Sequence, residues 1–272
     1  MKKLVIYMFL AVLPLIANGQ ALSYKTIENI FYYDTPTTDR STYMQDQNLL
    51  DIQYPEVDHK VPVVIWFHGG GLTAGKKEIP SALKEKGFCV VGVGYRLSPK
   101  VKAETCIEDA AAAIAWVYKN IDRYNGDSSR IFVSGHSAGG YLALMAVMDK
   151  SRLEKHNLSS DMIAGLVPFS GHTITHFTIR QERGIPGEQP VIDKLAPLYH
   201  VRKNAPSTLL ITGDREKEML GRYEENAYFY RMMKVVGHKD ITLYEMDGYG
   251  HNMTEPAFPL LVDFVRLKSK ID

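Results

Sequence analysis

Cysteine is almost missing: 272 residues contain two, Cys89 and Cys106. Two thiols make no disulfide framework, and their spacing matches no metal-ligand pattern. Both read as buried thiols, one in a strand and one at a helix start, although an oxidising compartment would let them pair. Charge of one sign is missing as well. Lys plus Arg number 32 against 31 Asp plus Glu, a net charge of +1, with the basic residues scattered. That balance gives no footing for nucleic acid and no charged tail. No internal repeat, low-complexity tract or apolar run of the ~20 residues needed to span a bilayer occurs. What is present, 45% hydrophobic and 23% charged residues, suits one globular domain with a sizeable core, without need of a second.

Residues 1–19 read as a signal peptide. Lys2 and Lys3 precede an apolar run from Leu4 to Ala17 broken by Pro14, and Ala17-Asn18-Gly19 is a small-x-small cleavage site. No cysteine near Gln20 is placed to carry a lipid. The expectation is a secreted or periplasmic protein whose catalytic domain covers residues 20–272, without stable membrane anchoring.

Strand and helix patterns alternate along that domain. Leu49 to Gln53 reads as an early edge strand, and Val61 to Phe67 and Phe88 to Tyr95 as inner strands. Further strands fall at Ile163 to Phe169, Thr208 to Thr212 and Ile241 to Met246, with helices at Ile107 to Asn120, Leu142 to Met148, Arg222 to Val236 and Phe258 to Lys268. The pattern predicts an α/β fold, a mainly parallel sheet with helices on both faces, whose chemistry sits at the carboxyl ends of the strands. Residues 171–206 interrupt the rhythm with glycine and proline and read as a short lid or cap insertion.

A short strand, Ile131-Phe132-Val133, leads into Gly135-His136-Ser137-Ala138-Gly139 and then into a helix-forming run. This is the context of a nucleophile elbow, which holds a serine on a tight turn clear of its own backbone. The helix after it aims free N–H groups at the place where an oxyanion would form. A second glycine cluster, His68-Gly69-Gly70-Gly71, ends the strand Val61 to Phe67. Its uncovered amides could donate two hydrogen bonds to a developing oxyanion, with the Ala138 amide as a third, at about 3 kcal/mol each. A dinucleotide or phosphate cradle would need spacings that neither this cluster nor Gly75-Lys76-Lys77 supplies.

A serine nucleophile needs a histidine base and a carboxylate. Of nine histidines, His251 stands in a glycine-rich loop after the last strand and before the last helix, where an imidazole can swing over the sheet toward Ser137. His136 belongs to the elbow and is expected to pack beside the serine. His172, His176 and His200 fall in the lid segment, where a polar surface role is expected. The acid should follow the strand Thr208 to Thr212, where Asp214 and Glu216 are candidates, with Glu218 slightly farther on. Glu216 is favoured over Asp214.

Together these pieces resemble the α/β-hydrolase superfamily, specifically the hormone-sensitive-lipase-like carboxylesterases and the bacterial acetyl and feruloyl esterase-like branch beside them. The resemblance runs from Leu49-Leu50-Asp51-Ile52 to the last helix and includes Tyr95-Arg96-Leu97 followed by Pro99, Trp116, the elbow and Gly250-His251. It implies oxyanion donors at Gly70, Gly71 and Ala138, and an acid three residues after the strand-ending glycine, at Glu216. An Asp is commoner there, and here an Asp stands one residue after the glycine instead. Arg96 is expected to hold the core helix through a carboxylate such as Asp109, and Trp116 to pack.

The expected function is secreted serine carboxylic ester hydrolysis through an acyl-enzyme, with no cofactor and no metal. The expected substrate is a small ester or an acylated carbohydrate with short acyl groups of the acetyl or feruloyl type. Two other readings fit parts of the pattern: an amidase of the kynurenine formamidase type, which the export signal disfavours, and a non-catalytic binding module of the same fold.

Overall fold

The computed structural model describes residues 22–34 and 40–270; the signal-peptide reading lies outside them. Eight strands form one sheet: β1 (Tyr24–Phe31), β2 (Leu49–Pro55), β3 (Val61–Phe67), β4 (Cys89–Val93), β5 (Gly126–His136), β6 (Gly165–Phe169), β7 (Ser207–Gly213) and β8 (Ile241–Met246). Their spatial order is β1-β2-β4-β3-β5-β6-β7-β8. β1 and β2, and β2 and β4, pair antiparallel; every pairing from β4 through β3 to β8 is parallel. Leu49–Pro55 is therefore not the edge strand expected of it. β1 covers it, and that strand shows little apolar alternation, because its side chains are mostly exposed.

Every residue of β3, β4 and β6 is buried, as a sheet covered on both faces requires. Period-two alternation then divides the core in two. Val63, Ile65 and Phe67 of β3 join one cluster with Ile131 and Val133 of β5, while Val64 and Trp66 join the other with Phe132. The first cluster packs against α2 (Ala103–Asn120) and α3 (Ala138–Met148), after α1 (Thr42–Gln47) has led the chain into β2. Next come the short α4 (Lys150–Glu154) and α5 (Phe177–Glu182), then α6 (Arg222–Val235). The second cluster packs against α7 (Thr254–Ser269) through Ala257, Phe258, Leu261 and Val265.

Cys89 and Cys106 are both buried free thiols, as expected. Arg96 also behaves as expected: its Nε lies 2.9 Å and one terminal nitrogen 2.5 Å from the two oxygens of the fully buried Asp109. Tyr33 donates to the same carboxylate at 2.6 Å, so the end of β4, α2 and the chain after β1 meet on one anion. Trp116 is half-buried, with its ring 6.4 Å from Tyr124, in a packing role.

Parallel register puts the carboxyl ends level. Phe67 of β3 pairs with Gly135 of β5, His136 with Phe169 of β6, and Gly213 of β7 with Met246 of β8. The residues that follow these ends, His68, Ser137, Ser170, Asp214 and the loop to His251, share one edge of the sheet.

Candidate active site

Ser137 leaves β5 with φ 54° and ψ −114°, a conformation that costs a non-glycine residue roughly 1–3 kcal/mol, and α3 begins at the next residue. Its amide donates to the Phe169 carbonyl at 2.8 Å, and its carbonyl accepts from Tyr141 at 3.0 Å, so strand β6 and the helix hold the strained turn. The flanking glycines are needed for contact. A Cβ at Gly139 would lie 2.0 Å from the Phe67 carbonyl oxygen, and one at Gly135 would lie 2.6 Å from both Gly139 and Phe67. The elbow exists because α3 can rest directly on the backbone of β3.

His251, the residue expected to act as base, lies against the elbow. His251 Nε2 lies 2.9 Å from Ser137 Oγ, while Nδ1 lies 2.6 Å from Glu218 Oε1. A carboxylate can only accept, so Nδ1 carries the proton and Nε2 presents its lone pair to the serine hydroxyl. His136 packs beside this pair as expected, its ring 4.8 Å from that of His251 and its Nε2 2.8 Å from the His251 carbonyl, to which it donates. Burial, and then the neighbouring imidazole, push His136 down to about 4, so at neutral pH it is an uncharged prop.

The acid differs from expectation. Glu218 meets His251; Glu216 and Asp214 do not. After Gly213 the chain closes a turn in which the amides of Lys217 and Glu218 donate to the Asp214 carbonyl at 2.9 and 2.7 Å, returning Glu218 over the strand end. The Asp214 carboxylate is used up inside that construction, accepting from the Glu216 amide and, across the gap to the histidine loop, from the Gly248 amide, both at 2.9 Å. Glu216 stands exposed at the apex. The signal available in the sequence was the Asp itself, a residue that closes turns on a following amide.

Glu218 accepts from His251 Nδ1 and, at 2.8 Å, the Met219 amide on one oxygen. On the other it accepts from Ser170 Oγ at 2.5 Å and the Gly213 amide at 3.1 Å. Burial alone would raise its pKa; the bonds from His251, Ser170 and Met219 outweigh it and hold the group at about 2. At neutral pH it is an anion at the far side of the imidazole.

The glycine loop lies against the serine. A Cβ on Gly69 would sit 3.6 Å from Ser137 Cβ, and Gly70 and Gly71 take φ values of 113° and 63°. His68 anchors the loop: its Nδ1 donates to the Gly69 carbonyl at 2.6 Å, and its ring stacks on Tyr95 at 4.3 Å. The Tyr95 hydroxyl donates to the His68 carbonyl at 2.8 Å. Burial lowers His68 to about 4 against that backbone bond, so it too is neutral at neutral pH. The Gly70 carbonyl is turned away, accepting from Thr73 and Ala74, and Thr178 Oγ1 holds the Gly71 carbonyl at 2.6 Å. Among the described residues, the amides of Gly70, Gly71 and Ala138 donate to no turn or loop carbonyl.

Residues 171–206 supply one wall. The Phe177 ring comes within 3.3 Å of where a Cβ on Gly71 would stand. The surface role expected for His172 and His176 does not hold: both are buried, and burial drives both well below the usual histidine range. Polar residues near a site are buried when neighbouring elements supply their partners, which a linear sequence does not display. His200 is half-buried and hydrogen-bonded to the Lys194 carbonyl at 2.9 Å. Among the described residues, no group of three or more histidine, cysteine or acidic side chains is arranged to hold a metal.

A family model, BD-FAE, matches residues 50–223, from β2 past the acid to the start of α6. The chain belongs to the BD-FAE family. The family match thus includes the glycine loop, the elbow and Glu218, but stops before His251. Esterase LipC of Mycobacterium tuberculosis (strain ATCC 25618 / H37Rv) is 27% identical over 213 residues, 70% of this chain and 52% of that protein. The probable carboxylic ester hydrolase LipM of the same organism is 27% identical over 241 residues, 79% of this chain and 54% of that protein. The chain thus spans about half the length of these curated relatives. Among solved structures, a truncated form of a carbohydrate esterase from gut microbiota superposes with a TM-score of 0.75 at 20% identity, covering 93% of this chain and 98% of that one. Esterase 2 of Thermogutta terrifontis, phosphonylated by sarin, gives 0.65 at 22% identity over 80% of this chain and 88% of that one. These likenesses identify the fold as that of the α/β-hydrolases.

Proposed function

We propose that this BD-FAE family member is a serine carboxylic ester hydrolase. The observation that carries the reading is the continuous chain Ser137 Oγ, His251, Glu218, with bonds of 2.9 and 2.6 Å, on a strained elbow beside a glycine loop. Ser137 attacks the ester carbonyl as His251 Nε2 takes its proton. The imidazolium that forms is stabilised by Glu218, and the amides of Gly70, Gly71 and Ala138 receive the oxyanion. His251 then gives the proton to the leaving alcohol. Water repeats the sequence on the acyl-enzyme, with His251 again the base. No step calls for a cofactor.

The substrate in this reading is a short-chain acyl ester, of acetyl or feruloyl type, on a carbohydrate. The Phe177 ring against Gly71 supports a small or flat acyl group, because it narrows the space beside the oxyanion loop. The carbohydrate esterase among the structural neighbours supports a sugar as the alcohol. The signal-peptide pattern read in the sequence of residues 1–19 supports a substrate met outside the cytoplasm, such as an acylated polysaccharide. The test is turnover of p-nitrophenyl esters of rising acyl length and of methyl ferulate, beside acetate release from acetylated xylan. Steep loss of kcat/KM beyond short linear chains supports the reading; a preference for long chains, or for N-formylkynurenine over every ester, overturns it. Labelling by a fluorophosphonate separates an enzyme from a binding module, which would leave Ser137 unmodified.

A further inference from the structure

We propose that Ser170, gripped from behind by Arg222, is a positioning residue that fixes the Glu218 carboxylate against His251. The inference rests on Glu218 being the acid of the proposed hydrolase. Ser170 is the first residue beyond β6 and takes φ 45°, a conformation serine adopts rarely. That twist lets three atoms of one residue serve three elements. Its amide donates to the Ile211 carbonyl of β7 at 2.7 Å, its hydroxyl donates to Glu218 Oε2 at 2.5 Å, and its carbonyl accepts from an Arg222 terminal nitrogen.

Arg222 is 2% exposed, and each of its three guanidinium nitrogens has a partner. Nε donates to Glu225 Oε1 at 2.7 Å, and the other terminal nitrogen donates to His172 Nε2 at 2.7 Å. That bond requires His172 to be neutral, with its proton on Nδ1. This atom lies 2.8 Å from Glu225 Oε1 without the alignment of a hydrogen bond. Glu225 is held in turn by the amides of Thr173 and Ile174 at 3.2 and 3.1 Å, and Asn226 donates to the Gly171 carbonyl at 2.9 Å. The first turn of α6 therefore clamps residues 170–174. Glu218 stands four residues before Arg222 on the same stretch of chain, so the clamp closes a loop: acid, Ser170, Arg222 and back to the acid.

A buried arginine–glutamate pair by itself would be packing. The hydroxyl on the acid is what makes this one part of the site. The Met219 and Gly213 amides hold the carboxylate from its own loop. Ser170 is the side-chain donor that ties it to another strand, and so sets its angle to the imidazole. It also draws charge from the anion, which helps keep Glu218 at about 2.

The test compares wild type, Ser170→Ala, Ser170→Gly, Thr208→Val and Glu218→Gln, using p-nitrophenyl acetate turnover across pH and the downfield proton resonance of the His251 Nδ1–H bond. Ser170→Ala and Ser170→Gly are expected to lower kcat about tenfold, ~1.4 kcal/mol, with KM nearly constant. Glycine relieves the backbone strain that alanine keeps, so a loss of activity common to both reports the missing hydroxyl rather than the strain. Both are expected to move the acid limb of kcat/KM upward, because a carboxylate that shares less charge with a hydroxyl stabilises the imidazolium more, and to shift the resonance. Thr208 Oγ1 donates to the Pro206 carbonyl at 2.8 Å at the far end of β7, outside this clamp, so Thr208→Val should lower stability and leave the limb and the resonance in place. Folded Ser170 variants with unchanged kcat and resonance, or a Thr208→Val that shifts them equally, overturn the proposal. Full activity in Glu218→Gln overturns the assignment of the acid instead. Should the ester not be turned over by wild type, the resonance still decides the positioning role.

Discussion

The elbow and the acid loop are built in opposite ways. At the elbow, strand, turn, nucleophile and helix are consecutive residues, and their glycines are dictated by contacts with one neighbouring strand, β3. At the acid loop, the carboxylate that matters is chosen by groups far away in sequence: Ser170, 48 residues before it, and His251, 33 after it. Local geometry is written in the residues that adopt it. A site made by convergence is written only in the fold, and each perturbation below asks whether that division holds.

The largest effects belong to the elbow. Ser137→Ala is expected to remove at least about 10⁴-fold of kcat while leaving the fold intact, since the serine hydroxyl is the group that forms the acyl-enzyme. Ester turnover with a circular dichroism check reads this, and a folded alanine variant that still turns over would sink the mechanism. Gly139→Ala should fail differently. Its Cβ would meet two successive backbone carbonyls, the Phe67 oxygen 2.0 Å away and that of His68 2.6 Å away, so loss of soluble, cooperatively melting protein is expected rather than loss of chemistry alone.

Glu218→Gln comes next, at about 10³–10⁴-fold in kcat, by the loss of charge and of the correct imidazole tautomer. Here the comparison sharpens, because the sequence supplied three carboxylates within five residues and nothing in their order marks the right one. The α/β alternation, the elbow, His68 with its glycines and His251 were legible because each lies where a strand ends, and strand ends can be found from apolar runs. Arg96, just past β4, was legible for the same reason, and the buried thiols from the apolar strand and helix patterns that contain them. The turn Asp214–Glu218 was not, since its outcome depends on Asp214 being consumed by the Gly248 amide from another loop. Nor was β1, whose exposed side chains carry no burial signal, or the burial of His172 and His176, which requires α6 to be packed against them.

Acid should expose both regions at once. His68 and His136 take up protons near 6.5 when unfolded and only near 4 when folded, so the unfolded chain binds more protons throughout that interval. Stability is therefore expected to fall as pH drops from 6.5 to 4. Glu218 extends the loss: its folded value of about 2 lies below the unfolded 4.5, so the stability it contributes is full above 4.5 and disappears on the way down to 2. Melting temperatures measured from pH 7 to 3 should decline steadily, and His68→Gln should flatten the upper part of the decline. A Tm that does not change between pH 6.5 and 4 would contradict the neutral, buried state of both elbow-side histidines.

The smallest effects separate the two carboxylates that do not reach His251. Glu216→Gln removes a charge from an exposed apex and should leave kcat within about twofold, in line with surface substitutions generally. Asp214→Ala should cost more without approaching Glu218→Gln, because it frees the Glu216 and Gly248 amides and loosens the acid loop from the histidine loop. The bond from the Asp214 amide to the Tyr249 carbonyl, at 2.7 Å, survives that change and keeps the two loops in register. The expected signature is a modest fall in kcat, about threefold to tenfold, with a lower Tm and no shift in the His251 Nδ1 resonance. A fall as deep as that of Glu218→Gln would mean that the acid loop is as locally determined as the elbow, and the contrast between the two regions would disappear.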